Sequence, residues 1–156
     1  MRPRPLRTIS LAAVCVITVA ACGGQQATKQ DVIARGNAIC ASALQNIRGV
    51  PSPAGGSESL AGLAAYVRQV APIVEKEARQ LHALPRPGNG RALLERYLSA
   101  VAADAGHYRA LAAAAERGDS AGVSAALANL RDSQAASLAT EYGLTQCAAP
   151  GSTAVS

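Results

Sequence analysis

A carboxylate and an imidazole one helical turn apart are the most evident chemical pair in this chain. They are Asp104 and His107, and the second histidine is His82. A carboxylate-x-x-His element supplies ligands in helical-bundle metal sites, but such sites need a second element and further carboxylates. No matching acid stands in the first predicted helix, so we favour a solvated polar face and expect no metal or cofactor. His82 falls at a predicted helix end, where the helix dipole favours a cation.

Other catalytic patterns are missing from the sequence. There is no glycine-rich phosphate loop, no G-x-S-x-G and no C-x-x-C-H haem attachment, and Met1 is the single methionine. Serines and threonines occur without an evident base beside them. We therefore predict that the chain is not an enzyme.

The amino terminus has the pattern of a secretory signal peptide. Arg2, Arg4 and Arg7 precede an apolar run over residues 9–21, and small residues stand near its end. About 20 apolar residues are needed to cross a bilayer, so a membrane-spanning helix is the weaker interpretation.

The four residues V-A-A-C at positions 19–22 resemble the lipobox of bacterial lipoproteins. The resemblance implies cleavage just before Cys22 and attachment of a diacylglycerol to its thiol. Residues 1–21 would then be the signal peptide and residues 22–27 a short lipidated linker, leaving the protein anchored on the extracytoplasmic face of the cell membrane. The alternative is an ordinary signal peptide cut at Ala20 or Ala21.

The lipobox resemblance accounts for two of the four cysteines. Cys15 leaves with the signal peptide and Cys22 carries the lipid, which leaves Cys40 and Cys147. An even pair outside the cytoplasm predicts a disulfide. The alternative, a reactive redox pair, usually has a C-x-x-C arrangement, which is absent here.

Charge and composition argue against nucleic-acid binding. The net charge of +5 includes three signal-peptide arginines, and the rest of the chain has 12 basic against 10 acidic residues. No basic stripe or aromatic platform is visible. The abundance of alanine and arginine is typical of a GC-rich genome and fits an actinobacterial source.

Alanine, leucine and arginine predict four helices, near residues 28–48, 57–84, 89–117 and 120–142. Thr28 and Asp31 form a capping pattern, Asn89 is a predicted N-cap, and Gly118-Asp119 predicts a tight turn. Pro72 lies inside the second helix, where we expect a bend or short break that follows the core, in preference to a functional hinge.

Short connections between amphipathic helices predict an all-α, up-down-up-down four-helix bundle over residues 28–149, followed by a disordered tail at 150–156. Cys40 stands about 18 Å along the first helix. Residues 143–147, if extended, span about 14 to 16 Å along that helix, which brings Cys147 within reach of Cys40. The disulfide would thus join the first helix to the segment after the fourth.

The layout also resembles a group of small, mostly uncharacterised actinobacterial lipoproteins. The shared features are the lipobox, N-A-I-C at 37–40, the Gly118-Asp119 turn and Y-G-L-T-Q-C at 142–147. The group carries no assigned chemistry, so the resemblance implies a fold and no activity.

Two functional interpretations remain open. The first is a non-enzymatic interaction or structural module of the cell envelope, held on the membrane by its lipid and contacting another envelope protein. The second is a binding module for a small ligand held between helices two and three near Pro72. A large apolar cavity would favour the second, and a solid interior would count against it.

Overall fold

The computed structural model describes residues 27–51 and 59–149, and these residues form five α-helices with no strand among them. The helices are α1 (Lys29–Arg48), α2 (Leu60–His82), α3 (Arg91–Glu116), α4 (Ser120–Arg131) and α5 (Ala135–Tyr142). The predicted all-α fold is confirmed. The predicted signal peptide at 1–21, Cys22 with most of its linker, and the tail at 150–156 lie outside the described residues.

Helix α1 begins with the predicted capping box. The Thr28 hydroxyl accepts a hydrogen bond from the Asp31 N–H at 3.2 Å, and the Asp31 carboxylate accepts one from the Thr28 N–H at 2.9 Å. The buried face of α1 is Val32, Gly36, Cys40, Ala43 and Leu44. Ile33 and Ile47 are partly buried and pack at the edge of this face.

Helix α2 runs through Pro72 without a break, so of the two predicted alternatives, a bend or a short break, the short break does not occur. Its N-cap is Ser59, whose hydroxyl accepts from the Gly62 N–H at 3.0 Å. Pro72 lies on the exposed face of α2. There the backbone carbonyl left without a helical donor can face water, which lowers the cost of a proline inside a helix.

The start of α3 differs from the prediction. The N-cap is Gly90 and not Asn89, and its φ of 77° lies in the left-handed region that favours glycine. The far end of α3 agrees with the prediction. Gly118 has a φ of 68°, and the Asp119 carboxylate accepts from the Gly122 N–H at 2.8 Å to cap α4.

The predicted fourth helix is two helices, which corrects the single span 120–142. Helix α4 ends at Arg131, and α5 begins at Ala135. At the break, the Ser133 hydroxyl accepts from the Ala135 N–H at 3.1 Å, so a side chain replaces a helical carbonyl as that amide's acceptor.

The helices keep the predicted up-down-up-down order, with α4 and α5 together forming the fourth arm. Helix α3 packs against α2, α4 and α5, and α1 packs against α2. Lys29, at the start of α1, lies 4.8 Å from the ring centroid of Tyr142 at the end of α5. Gly90, before α3, also lies against that ring. The end of the fourth arm therefore meets the start of α1, as the topology requires.

The predicted disulfide is confirmed. It joins Cys40 on α1 to Cys147 after α5, with the two Cα atoms 5.0 Å apart. The segment between α5 and Cys147 is a turn and not the predicted extended strand of chain, because the Cys147 N–H bonds the Leu144 carbonyl at 3.1 Å. The Gln146 N–H also donates to the Asn37 side-chain oxygen at 2.9 Å. The motif N-A-I-C at 37–40 is therefore bonded to the motif Y-G-L-T-Q-C at 142–147 by this hydrogen bond as well as by the disulfide.

Candidate functional site

A polar groove lies where α3 faces the break between α4 and α5. Its volume is about 450 Å³. Helix α3 contributes Arg96, Ser99, Ala100, Ala103, Asp104 and His107, and the other wall consists of Asn129, Asp132, Ser133, Gln134 and Leu138. We call this the Asp104 groove. Acids, bases, amides and hydroxyls line it beside the apolar Ala100, Ala103 and Leu138, which suits a ligand that has both polar groups and an apolar part.

Asp104 is the buried carboxyl of the groove. Its side chain is 2 % exposed, and its Oδ2 atom accepts a hydrogen bond from the Ser133 hydroxyl at 2.7 Å. Among the described residues, Ser133 is the one hydrogen-bond donor to the Asp104 carboxyl. It bonds Oδ2, and Oδ1 accepts no hydrogen bond from them. Burial raises the pKa of Asp104, while the Ser133 hydrogen bond and the nearby His107 lower it.

Asp104 therefore does not lie on a solvated face, and that expectation is wrong. Asp104 lies on the buried face of α3 with Val101 and Tyr108, and the α4–α5 break carries Ser133 against it. His107 is half-buried and lines the same groove. Among residues 27–51 and 59–149, no group of three or more His, Cys, Asp or Glu side chains could hold a metal ion.

Glu77 is a second buried acid, which the sequence reasoning missed. Its side chain is 1 % exposed, and neither carboxyl oxygen has a hydrogen-bond partner in the described part of the chain. It borders a chamber of about 40 Å³ between α1 and α2, lined also by Ser42, Ala43, Asn46, Ile73, Lys76 and Gln80. Burial raises the pKa of Glu77 to about 8. The carboxyl is therefore largely neutral at pH 7.

Two buried tyrosines stand within electrostatic reach of both acids. Burial raises the pKa of Tyr97, and the charges of Glu77 and Asp104 raise it further. Burial also raises the pKa of Tyr108 to about 12, with smaller effects from Tyr66 and both acids. The Tyr97 hydroxyl lies 3.9 Å from the Cys40 sulfur. The interior thus carries a polar cluster of Glu77, Tyr97, Asp104 and Tyr108.

A signal for both acids is present in the sequence. Val70, Val74 and Glu77 follow helical spacing that continues to Leu81, so Glu77 occupies a core position of α2. Asp104 stands at the same spacing after Tyr97 and Val101 on α3 and is followed by Tyr108. An acid at a position where an apolar stripe continues is the pattern that would have indicated burial.

The remaining predicted site residues take these places. His82 lies in the last turn of α2, and its Nε2–H donates to the Leu98 carbonyl at 3.0 Å, which links α2 to α3. Cys40 and Cys147 form the disulfide. Lipid attachment at Cys22 lies outside the described residues and stays a prediction.

The space between α2 and α3 differs from the predicted ligand site near Pro72. A surface groove of about 680 Å³ runs between the start of α2 and the end of α3, lined by Leu60, Ala61, Ala64, Ala65, Arg68, Ala115, Glu116 and Gly118. It ends one turn before Pro72 and is not an enclosed apolar cavity. Beside Pro72 itself, Val70, Ala71 and Val74 are packed in the core.

Comparison with protein-family models, with curated proteins and with solved structures finds no match to this chain. The helices of residues 27–51 and 59–149 include none that is long and apolar enough to cross a membrane.

Proposed function

We propose that this protein is a lipid-anchored cell-envelope lipoprotein that acts without catalysis, by presenting its helical bundle to another envelope protein. The anchor is the lipid on Cys22, and the membrane contact is made through that lipid. The sequence support is the V-A-A-C motif after a basic segment and a short apolar run.

The observation that carries this proposal is the Cys40–Cys147 disulfide. Structural disulfides persist outside the cytoplasm and are rare within it. The bridge therefore supports export independently of the lipobox resemblance. It also closes most of the folded domain in one loop, which suits a small protein exposed at a membrane surface.

The groove chemistry supports a non-enzymatic role. A serine nucleophile needs a base that accepts its proton. The Ser133 hydroxyl donates to the Asp104 carboxyl at 2.7 Å, and its oxygen accepts from the Ala135 N–H at 3.1 Å. These two bonds fix the hydroxyl at the α4–α5 break, and no histidine among the described residues hydrogen-bonds to it, which favours a structural role for Ser133.

Intact-mass spectrometry of the full chain, extracted from the membranes of a bacterium that processes lipoproteins, tests the anchor. We expect a chain that begins at Cys22, carries a diacylglycerol and acyl mass, and lacks two hydrogens for the disulfide. Cys22→Ser should abolish the lipid mass, whereas Cys15→Ser is the matched control and should leave it intact. A mature chain without lipid would contradict the proposal.

The partner is tested by cross-linking in cells from exposed positions on α2 and α4. A discrete cross-linked envelope protein that depends on the cross-linker's position supports the interaction role. The same set of cross-linked products from every position of the cross-linker would contradict the interaction role.

Small-molecule binding is the second candidate function. The Asp104 groove favours it, because a buried carboxyl, an imidazole and a guanidinium line one open groove of about 450 Å³. Ligand sites typically combine a concave surface with a few convergent polar groups.

A further inference from the structure

We propose that the Asp104 groove binds a small zwitterion, with the ligand's primary ammonium group on Asp104 and its anionic group on Arg96. The proposal rests on the second candidate function, small-molecule binding. It is independent of the lipid anchor, since all of its residues belong to the folded domain.

Asp104 supplies the site for the ammonium group. Its carboxyl is almost fully buried yet lines the groove, and Ser133 occupies one of its two oxygens. The other oxygen has no donor from the described residues, so a ligand N–H can complete its hydrogen bonding. Charge-assisted hydrogen bonds gain strength in poorly solvated surroundings.

Arg96 supplies the site for the anion. It stands eight residues before Asp104 on α3, which is about 12 Å along the helix axis. Its guanidinium makes no ion pair with the described residues, unlike Arg79, Arg86 and Arg109. An arginine on a groove wall with no carboxylate partner is suited to bind a ligand carboxylate or phosphate.

The opposite charges of Asp104 and Arg96 favour a zwitterionic ligand over a single-charge one. A bare cation would meet Asp104 but also face His107 and Arg96, and a bare anion would face Asp104 and Asp132. A molecule with an ammonium group and an anionic group separated by several bonds satisfies both ends of the groove. Such chemistry can come from a free metabolite or from the headgroup of an amine-bearing phospholipid.

Calorimetric titration of the full chain in detergent, with the disulfide intact, tests the proposal. The probes are ε-aminocaproate, which carries both charges, pentylamine, which carries the ammonium, and caproate, which carries the anion. We expect the zwitterion to bind more tightly than either single-charge probe. Asp104→Asn should weaken its binding by about ten- to a hundredfold, the effect of losing a charged hydrogen bond.

Two further variants sharpen the result. Arg96→Gln should remove the preference for ε-aminocaproate over pentylamine, by weakening ε-aminocaproate binding and, since the like charge is gone, slightly strengthening that of pentylamine. Glu141→Gln is the control, because it removes one negative charge at an exposed position of α5. This variant should bind like the unmodified protein. Equal binding by Asp104→Asn and Glu141→Gln, or no preference for the zwitterion, would overturn the proposal.

Chemical-shift mapping on the unmodified protein keeps the test valid if Asp104→Asn does not fold. Shifts concentrated at Arg96, Asp104 and Ser133 support the site, and shifts confined to other helices or no shifts overturn it. Vesicles of phosphatidylethanolamine and phosphatidylcholine distinguish the sources. Groove shifts with the primary amine lipid alone identify a headgroup, and groove shifts with ε-aminocaproate alone identify a free ligand.

Discussion

The stability of this protein should fall as pH rises from 4.5 to 8, because Glu77 is buried. Its side chain is 1 % exposed, and neither carboxyl oxygen has a hydrogen-bond partner among the described residues. Burial raises the pKa of Glu77 from its ordinary 4.5 to about 8. Between these values the unfolded chain has lost the proton and the folded protein retains it.

The sign and the magnitude follow from proton linkage. The folded state binds more protons across this window, so the free energy of unfolding decreases with rising pH. Each pH unit corresponds to at most about 1.4 kcal/mol, and the whole window to at most about 5 kcal/mol. The contribution is fully present below pH 4.5 and is lost once the pH passes 8.

Glu77→Gln removes the titration while keeping the shape of the side chain. We expect the variant and the unmodified protein to unfold at similar urea concentrations near pH 4.5. The variant should become more stable by about 2 to 5 kcal/mol near pH 8. Urea unfolding of oxidised protein, followed by circular dichroism at several pH values, measures this difference. The contributions of all other groups cancel, since both proteins contain them.

Glu75→Gln is the matched control on the same helix. Glu75 is partly exposed and pairs with Arg79 at 3.7 Å and Arg109 at 3.8 Å. Such surface pairs contribute about 0 to 1 kcal/mol, so this variant should show no gain that grows with pH. A constant difference between Glu77→Gln and the unmodified protein from pH 5 to 8 would refute the reasoning on Glu77.

Three other perturbations test the packing. Cys40→Ser should lower the free energy of unfolding by up to about 4 to 5 kcal/mol, and a melting temperature unchanged by reductant would contradict this. Gly36→Ala should destabilise by about 1 to 3 kcal/mol, because its Cβ would lie 2.5 Å from the Leu144 Cδ2 atom. Gly106→Ala, whose Cβ meets nothing closer than 3.8 Å, is its control and should stabilise by about 0.5 to 1 kcal/mol in urea unfolding. Tyr142→Phe should be neutral or stabilising by up to about 1 kcal/mol in the same assay, since the buried hydroxyl has no partner among the described residues, and a loss above 1 kcal/mol would argue against this.

Local signals in the sequence predicted most helix ends correctly. The Thr28 capping box and the Gly118-Asp119 turn depend on side chains and φ values within a few residues, so they can be read without the fold. The disulfide followed from counting the cysteines left after the lipobox. The topology was consistent with it, because the end of the fourth arm returns to α1.

Long-range contacts produced the features that the sequence did not reveal. Residues 120–142 have the composition of one helix, and the break appears where Ser133 meets both Asp104 and the Ala135 N–H. Asp104 lies on another helix, 29 residues away in sequence. Gly90, the N-cap of α3, likewise lies against the Tyr142 ring at the end of α5, a contact between residues far apart in the sequence.

The two buried acids differ in their surroundings, and this difference assigns them different roles. Glu77 has no donor in the described part of the chain, and its chamber of about 40 Å³ has room for little beyond water. Asp104 has a donor in Ser133 and borders a groove of about 450 Å³. The pH dependence of stability should therefore follow Glu77, and ligand recognition should follow Asp104. Glu77→Gln should leave ε-aminocaproate binding unchanged, and a loss of binding in that variant would show that the two acids act as one site.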